Sequence, residues 1–374
     1  MTQTPRAAVD GPGRPGRWRS AAETALPYVL SVGVALFLSA GLVAVTGNSW
    51  LRVFGALLDG AFLEPGRWGE TLIVATPLLL VALGMVVGVK AGLFNIGQEG
   101  QLLVGAMAMA WVGTRLHGPG PLLLLLGLAL GMAAGGGYAG IAAVMRYRRG
   151  VPEVISTLLL VFLAYQLNGF AIQTRWLLRD LGATGPSRSV ATAALPESVR
   201  LPFVRLFGNE FHVGLLVALV LAVLMAWALG RTVWGFRLRL LGHSTFVARS
   251  TGVSAARSGS LALCLSGGLA GLAGAVMLAG GASGYRVGTS FAQNYGWQGL
   301  LVALLARTNQ IAAIPMAVVF ASLRTGSGFL AATGVDRKIV EVVQALLVLA
   351  LLIPPAVQFL RRRRRAVAAA REEV

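Results

Sequence analysis

The feature that most constrains the fold is a series of apolar runs, several of them long enough to cross a lipid bilayer. A helix needs about 20 apolar residues to span a hydrocarbon core of about 30 Å. Because backbone groups in lipid must be hydrogen-bonded within the chain, such runs predict transmembrane helices. Only 12% of the 374 residues are charged, about half the fraction typical of soluble proteins. We therefore predict an all-α polytopic membrane protein.

About ten transmembrane helices are predicted between residues 26 and 359. The polar residues 1–25 are predicted to be a disordered cytoplasmic tail. Residues 360–374 are predicted to be a basic cytoplasmic tail that contacts anionic membrane lipid. The eighth span is too short to cross alone, so we expect it to continue an irregular segment before it. The spans lie at residues 26–46, 70–89, 98–114, 121–145, 153–173, 213–230, 258–280, 296–306, 310–325 and 339–359.

Basic residues are distributed unevenly between alternate loops. With the N-terminus inside, 20 of the 32 Lys and Arg residues fall on the cytoplasmic side. Because cytoplasmic loops carry such an excess, we predict a multi-pass protein of the cytoplasmic (inner) membrane with both termini in the cytoplasm. The same bias explains the net charge of +18, and no nucleic acid partner is predicted.

A short motif of the form N-x-G-x-x-G occurs at Asn95–Gly100 and again at Asn294–Gly299. Both copies precede an apolar run that favours a helix. Glycine breaks at corresponding places in two halves are typical of transporters built from repeats. The first copy leads into span three and the second into span eight, which run in opposite directions. The sequence therefore predicts two inverted five-helix halves, at about 26–173 and 213–359, with broken helices.

Glu99 is the most informative single residue, because ionisable groups at membrane depth face a cavity or a partner. One hypothesis places it on the path of a solute, and the other has it cap span three and complement its dipole. Asn95 and Gly97 are expected to shape the helix break. Tyr295 and Trp297 either stack on a ring or anchor at the membrane interface, and anchoring is favoured for Trp297. The full path hypothesis includes Asn95, Gly97, Gln98, Glu99, Gly100, Gln101, Asn294, Gly296, Gln298 and Gly299.

No catalytic or metal site is predicted. The three histidines are far apart in the sequence, and no nucleophile with a nearby base is visible. Neither Lys90 nor Lys338, the two lysines, lies in a G-x-x-x-x-G-K-[ST] phosphate loop. We predict that this chain binds no cofactor, so that any ATP that drives transport is bound by another chain.

Two loops are long enough to have functions of their own. Residues 174–212 form an external loop in the predicted topology, and residues 231–258 form a cytoplasmic segment. Within the latter, the stretch from Gly242 to Gly252 predicts a short helix capped by Ser244 or Thr245. Such a helix either lies on the membrane or docks a partner protein.

The sequence K-A-G-L-F-N-I-G-Q-E-G-Q from Lys90 to Gln101 closely resembles a signature of ABC importer permeases. The resemblance is to the branched-chain amino acid and ribose permease superfamily, and within it to the simple-sugar and nucleoside group. Supporting resemblances lie at Pro152–Leu158 and Gly296–Leu305, although Pro152 stands where the group usually has Asn. The resemblance implies a permease subunit that moves nucleosides or simple sugars through the inner membrane and is not an enzyme.

The resemblance also implies partners. They are an ATP-binding subunit that hydrolyses the ATP, a second permease subunit that is homologous or identical, and an extracytoplasmic solute-binding protein. The alternative is an ion-coupled secondary transporter, which would leave the 231–258 segment unexplained. A polytopic membrane enzyme would lack catalytic residues. The implied ATPase-coupling residues are Gly242, His243, Ser244, Phe246, Ala248, Arg249 and Gly252.

Overall fold

The computed structural model describes residues 49–180, 182, 190–292 and 294–332, with scattered positions between 33 and 45 and between 342 and 357. Residues Phe54–Gly334 form one compact unit, and the two ends of the chain form another. The predicted tails and most of the predicted first and last spans lie outside the described residues.

The described residues are mainly helical. A π-helical turn, Asp59–Leu63, follows the first helix, and a 3-10 turn, Glu197–Val199, precedes a hairpin of strands β1 (Phe203–Leu206) and β2 (Asn209–His212). Helices α1 to α11 are, in order, Trp50–Leu58, Arg67–Lys90, Gln98–Arg115, Gly120–Arg149, Glu153–Gln173, Gly214–Arg231, Val233–His243, Thr245–Ser250, Ala255–Ala279, Tyr295–Leu305 and Ala313–Ala332.

The prediction of a polytopic helical membrane protein is confirmed. Among the described helices, α2, α4, α5, α6 and α9 are long and apolar enough to cross a membrane. The predicted second to ninth spans each coincide with a helix, although α11 continues to Ala332, beyond the predicted end at 325. We predicted neither α1 nor the hairpin. Gly326 and Gly328 favour a loop in isolation, but α11 packs against α2, and packing outweighs weak intrinsic propensity.

Helices α2 and α9 form the centre of the compact unit. In their most apolar windows 78% and 83% of the residues are buried, against 22% in α6. Helix α9 packs on α4, α3 and α2, while α2 also packs on α10 and α11. The more exposed α6 lies on the outside of this unit, and the central pair supports α3 and α10, where the candidate site lies.

Helix α9 crosses α4 and α3 at glycine positions. Gly271 lies against the α4 backbone, where an added Cβ would be 2.9 Å from the Cα of Gly135. Gly105 of α3 lies against the backbone of Gly271 in turn. Lipid tails give no hydrophobic drive for helix association, so this close backbone approach supplies the packing energy.

The hairpin is tied to the start of α2, where the Oδ1 of Asn209 accepts the N–H of Gly69 at 3.2 Å. His212, at the end of β2, is fully buried beside Gly214 and Gly280. Neither of its ring nitrogens has a hydrogen-bond partner among the described residues. Desolvation by burial lowers the pKa of His212 to about 4, because the charged imidazolium is the form that burial penalises.

We expect the free energy of unfolding to fall as the pH drops from about 6.5 towards 4. In this window His212 is neutral in the folded protein and protonated in the unfolded chain, so the unfolded state binds more protons. A pKa lowered from 6.5 to about 4 corresponds to a loss of about 3 kcal/mol. The thermal unfolding midpoint should therefore fall less between pH 7 and pH 4.5 in His212→Leu than in the wild type. Equal decreases in the two proteins would contradict this prediction.

Candidate functional site: the junction of the two glycine motifs

The second motif forms the start of the short helix α10. Asn294 has a φ of 66°, and this left-handed residue directs the chain into Tyr295–Leu305. The helix has 11 residues and is therefore about 16 Å long, roughly half the thickness of a hydrocarbon core. A helix of this length that reaches one membrane surface begins near mid-depth.

Glu99 of α3 lies directly at the start of α10. Its Oε1 accepts the N–H of Asn294 at 2.7 Å, and its Oε2 accepts the N–H of Gly296 at 2.6 Å. The hydroxyl of Tyr165 in α5 donates to Oε1 at 2.9 Å. Glu99 is 1% exposed. The two motifs are therefore in direct contact. The buried carboxylate of Glu99 lies at the N-terminus of α10, which is the positive end of that helix's dipole.

Glu99 is a helix cap, but of a different helix from the one that the sequence suggested. Helix α3 follows Gly97, and no side chain caps it. The carboxylate instead accepts hydrogen bonds from α10, whose first N–H groups have no acceptors within their own helix. The sequence could not give this result, because packing decides which helix start lies opposite Glu99.

The other polar side chains of the first motif bond to one another and to α9. Asn95 and Gln101 form a reciprocal amide pair, with Asn95 Nδ2 donating to Gln101 Oε1 at 2.8 Å and Gln101 Nε2 donating to Asn95 Oδ1 at 2.9 Å. Asn95 Oδ1 also accepts the N–H of Gly97 at 3.2 Å, and its Nδ2 donates to Ser266 Oγ at 3.0 Å. This buried network fixes the break between α2 and α3.

Gln98 and the motif glycines hold the junction against its neighbours. The Nε2 of Gln98 donates to the carbonyl oxygen of Val81 in α2 at 3.0 Å. At Gly100 an added Cβ would be 3.0 Å from the Cβ of Ala164 in α5, so a larger residue would separate α3 from α5. Gly97, Gly296 and Gly299 approach Thr157, Glu99 and Val81 more closely still.

Arg324 is a site residue that the sequence analysis did not single out, although it lies within the predicted ninth span, 310–325. It lies about midway along α11, where its guanidinium lies 4.1 Å from the centre of the Tyr295 ring and donates to Gln298 Oε1 at 3.2 Å. Aligning the two motifs makes Gln298 the counterpart of Glu99. A signal was present, since Arg324 is the only charged residue between 313 and 332, and arginines at membrane depth are rare.

The two aromatic residues of the second motif lie in different environments. Tyr295 is 2% exposed and lies under the Arg324 guanidinium, so its ring is not free to stack on a solute. Trp297 is 41% exposed. Its anchoring at the membrane interface stays a prediction.

The predicted short helix between Gly242 and Gly252 is present as α8, while its cytoplasmic position stays a prediction. The Oγ of Ser244 accepts a backbone N–H at 3.3 Å and so caps it, and Gly252 follows with a φ of 77°. Ala248 is fully buried, whereas Phe246 is 80% exposed. The remaining candidates, His243 and Arg249, are exposed.

The start of this segment contacts the chain just before the first motif. Gly242 lies against the carbonyl of Lys90, and an added Cβ would be 3.0 Å from the nitrogen of Gly92. Bulky replacements of Gly242 or Ala248 would therefore disturb the fold. Residues 91–94 connect this contact directly to Asn95.

The described residues contain no group of three or more His, Cys, Asp or Glu side chains placed to hold a metal ion. His117 and His243 are on the surface, and His212 is buried away from both. The charged side chains at the junction of the two motifs are those of Glu99 and Arg324.

Comparison with known proteins identifies the family. Residues 68–353 match the family described as the branched-chain amino acid transport system / permease component. The guanosine ABC transporter permease protein of Bacillus subtilis is 32% identical over 88% of this chain and 93% of its own length. The glucose ABC transporter permease protein of Haloferax volcanii is 34% identical over 87% of this chain and 86% of its own length. A nucleoside ABC transporter permease protein of Lactococcus lactis is 30% identical over 75% of this chain and 77% of its own length. The chain belongs to this family of transporter permease components, and it is a multi-pass membrane protein.

Proposed function

We propose that this permease is the transmembrane subunit of an ATP-driven importer that carries nucleosides or simple sugars through the cytoplasmic membrane. The observation that carries the proposal is the junction at Glu99, where the two glycine motifs, which are distant in the sequence, meet. The names of the three relatives support this solute class. A separate subunit would hydrolyse the ATP, a second permease subunit would complete the pore, and an extracytoplasmic binding protein would deliver the solute.

The proposed topology has ten spans in two inverted halves, with both termini in the cytoplasm. The meeting of the starts of α3 and α10 supports it, because equivalent segments of inverted halves approach each other at the centre of such transporters. Glu99 and its counterpart Gln298 then lie on either side of the pseudo-symmetric centre. Changes between outward and inward access would take place around this junction.

The proposed link to ATP hydrolysis runs through the segment 231–258. Phe246 of α8 is exposed and available to a docking partner, while the buried Ala248 packs α8 against the rest of the permease. A displacement of α8 would move α7, which α8 contacts. Because Gly242 near the end of α7 lies against Lys90 and Gly92, the turn after Lys90 would move as well. Because this turn leads into Asn95, movement of the ATPase would be transmitted to the junction.

The alternative of an ion-coupled secondary transporter receives less support. Such a transporter would need buried acids able to bind and release ions. Among the described residues the buried acids are Glu99 and Glu153. Glu99 accepts three hydrogen bonds, and Glu153 is paired with Arg146.

Vesicles that contain the permease with its partner permease, ATPase and binding protein provide the direct test. Uptake of labelled guanosine or glucose should require ATP on the side of the membrane where the ATPase is bound. It should stop when the ATPase is inactivated. The control is the same vesicle without the binding protein. Uptake that continues without ATP would exclude the importer and favour the ion-coupled alternative.

Phe246→Ala should reduce both ATPase co-purification and solute-stimulated ATP hydrolysis by more than about tenfold, the effect of removing an exposed aromatic anchor from an interface. The matched control is Phe207→Ala, which truncates a phenylalanine that is 93% exposed at the tip of the external hairpin. That variant should keep its ATPase bound. Normal ATPase binding by Phe246→Ala would remove the docking role from α8.

A further inference from the structure

The chain that enters α10 has one apolar buried face and one polar exposed face. Val287, Phe291, Ala292 and Tyr295 are all less than 5% exposed. On the other side, Thr289, Ser290 and Asn294 are exposed and Gln298 is partly exposed. We name these last four residues the polar strip.

The polar strip begins beside the predicted external loop, because Gly288, which precedes its first residue, pairs with Ala191 of that loop. Its upper end is fixed where Asn168, within α5, donates to the carbonyl oxygen of Gly288 at 3.0 Å. Its lower end is fixed where Glu99, bonded to Tyr165 of α5, accepts the N–H of Asn294. Tyr165 lies within α5, a helix long enough to cross the membrane, so the strip extends from the predicted external loop into the membrane at Asn294 and Gln298.

The exposed faces of α5, which contacts the strip, and of α6 are chemically different. Leu159 and Phe162 of α5 are 58% and 63% exposed, and Val220 and Val223 of α6 are 56% and 57% exposed. Such side chains suit lipid tails. Hydroxyl and amide groups in contact with lipid would each lose hydrogen bonds worth several kcal/mol, roughly the cost of an unsatisfied group in hydrocarbon. The polar strip must therefore face water or a polar molecule.

We propose that the polar strip lines the path of the solute and that it recognises a neutral, hydroxyl-rich molecule. This inference rests on the proposed function and assigns residues to its solute path. The side chains of the strip are two hydroxyls and two primary amides, which offer donors and acceptors but no fixed charge. Ring hydroxyls of a sugar or a ribose need this combination.

Arg324 acts in this proposal as a positioning residue for Gln298. Its guanidinium holds the Oε1 of Gln298 at 3.2 Å and stacks on Tyr295 at 4.1 Å. The amide of Gln298 is thereby oriented, with its Nε2 left to donate to a passing hydroxyl. Arg324→Lys preserves a donor to Oε1, whereas Arg324→Met preserves only length and packing.

Cysteine accessibility tests the polar strip. Cys264 is replaced by alanine to give a cysteine-free permease, and single cysteines are then placed at Ser290 and Asn294. In the assembled importer, both should react with a charged, membrane-impermeant methanethiosulfonate at least tenfold faster than cysteines at Phe162 or Val220, which face lipid. Saturating guanosine or glucose should slow labelling of the strip at least fivefold and leave the controls unchanged.

Two results would overturn the assignment of the polar strip to the solute path. One is labelling as slow as at Phe162. The other is fast labelling that neither solute slows while uptake is intact, which would place the strip in a water-filled or subunit-facing groove apart from the path. The proposed function fails separately, if the wild-type importer shows no ATP-dependent uptake.

For Arg324, the KM for uptake should rise at least fivefold in Arg324→Met and return towards normal in Arg324→Lys, with a smaller change in maximal rate. An equal loss in both variants, confined to protein yield, would reduce Arg324 to a structural role.

Discussion

Glu99→Gln is expected to lower the free energy of unfolding of the purified permease by about 2–3 kcal/mol, the range for buried hydrogen bonds to a charged group. Glutamine keeps one acceptor oxygen but places an NH2 group against a backbone N–H of Asn294 or Gly296 that now lacks an acceptor. It also removes the negative charge from the start of the α10 dipole. Denaturant titration in detergent measures this loss.

The same variant should reduce ATP-dependent uptake by more than about tenfold, because a displaced α10 start would disturb the junction on which the proposed path depends. The matched control is Glu70→Gln. Glu70 also opens a helix, but its side chain is 57% exposed and paired with Arg67, so its replacement should change stability by less than about 0.5 kcal/mol. Wild-type stability in Glu99→Gln would show that the cap contributes little and would weaken the junction as the centre of the mechanism.

Gly271→Ala is expected to prevent stable folding or to destabilise the permease by about 3 kcal/mol or more, at the upper end of the range for overpacked cores. The added methyl group would overlap backbone atoms of Gly131 and Gly135 in α4. Backbone atoms cannot rotate away as a flexible side chain can, so α9 would have to separate from α4. Folded yield and the unfolding midpoint in detergent measure the effect.

Gly137→Ala is the matched control for this prediction. Gly137 lies in α4, a few residues from Gly135, and an added Cβ there would meet nothing within 4 Å. Its replacement should be neutral or stabilising by about 0.5–1 kcal/mol, because alanine has the higher helix propensity. Similar losses in Gly271→Ala and Gly137→Ala would mean that helix crossing does not depend on the glycine contact.

The sequence predicted the helices well and the site only in part. Long apolar runs leave few alternatives to a transmembrane helix, so the bounds of α2 to α6 and of α9 agree with the predicted spans. The cap of α8 by Ser244 was also predictable, because a cap acts within a few residues of the chain. Arg324 was missed because its partners, Tyr295 and Gln298, lie on another helix that only packing brings to it.

The sequence by itself determined that this chain is a helical membrane protein with two matching glycine motifs, since hydrophobic length and local breaks are properties of neighbouring residues. Only the tertiary structure decided what the motifs do to each other. Glu99 satisfies the amides of Asn294 and Gly296 because α3 and α10 begin at the same point in space. Buried donors must find acceptors wherever packing places them, and the sequence does not contain that distance. The same reason applies to Arg324 and Gln298, which lie 26 residues apart in sequence and meet only when α10 and α11 pack together.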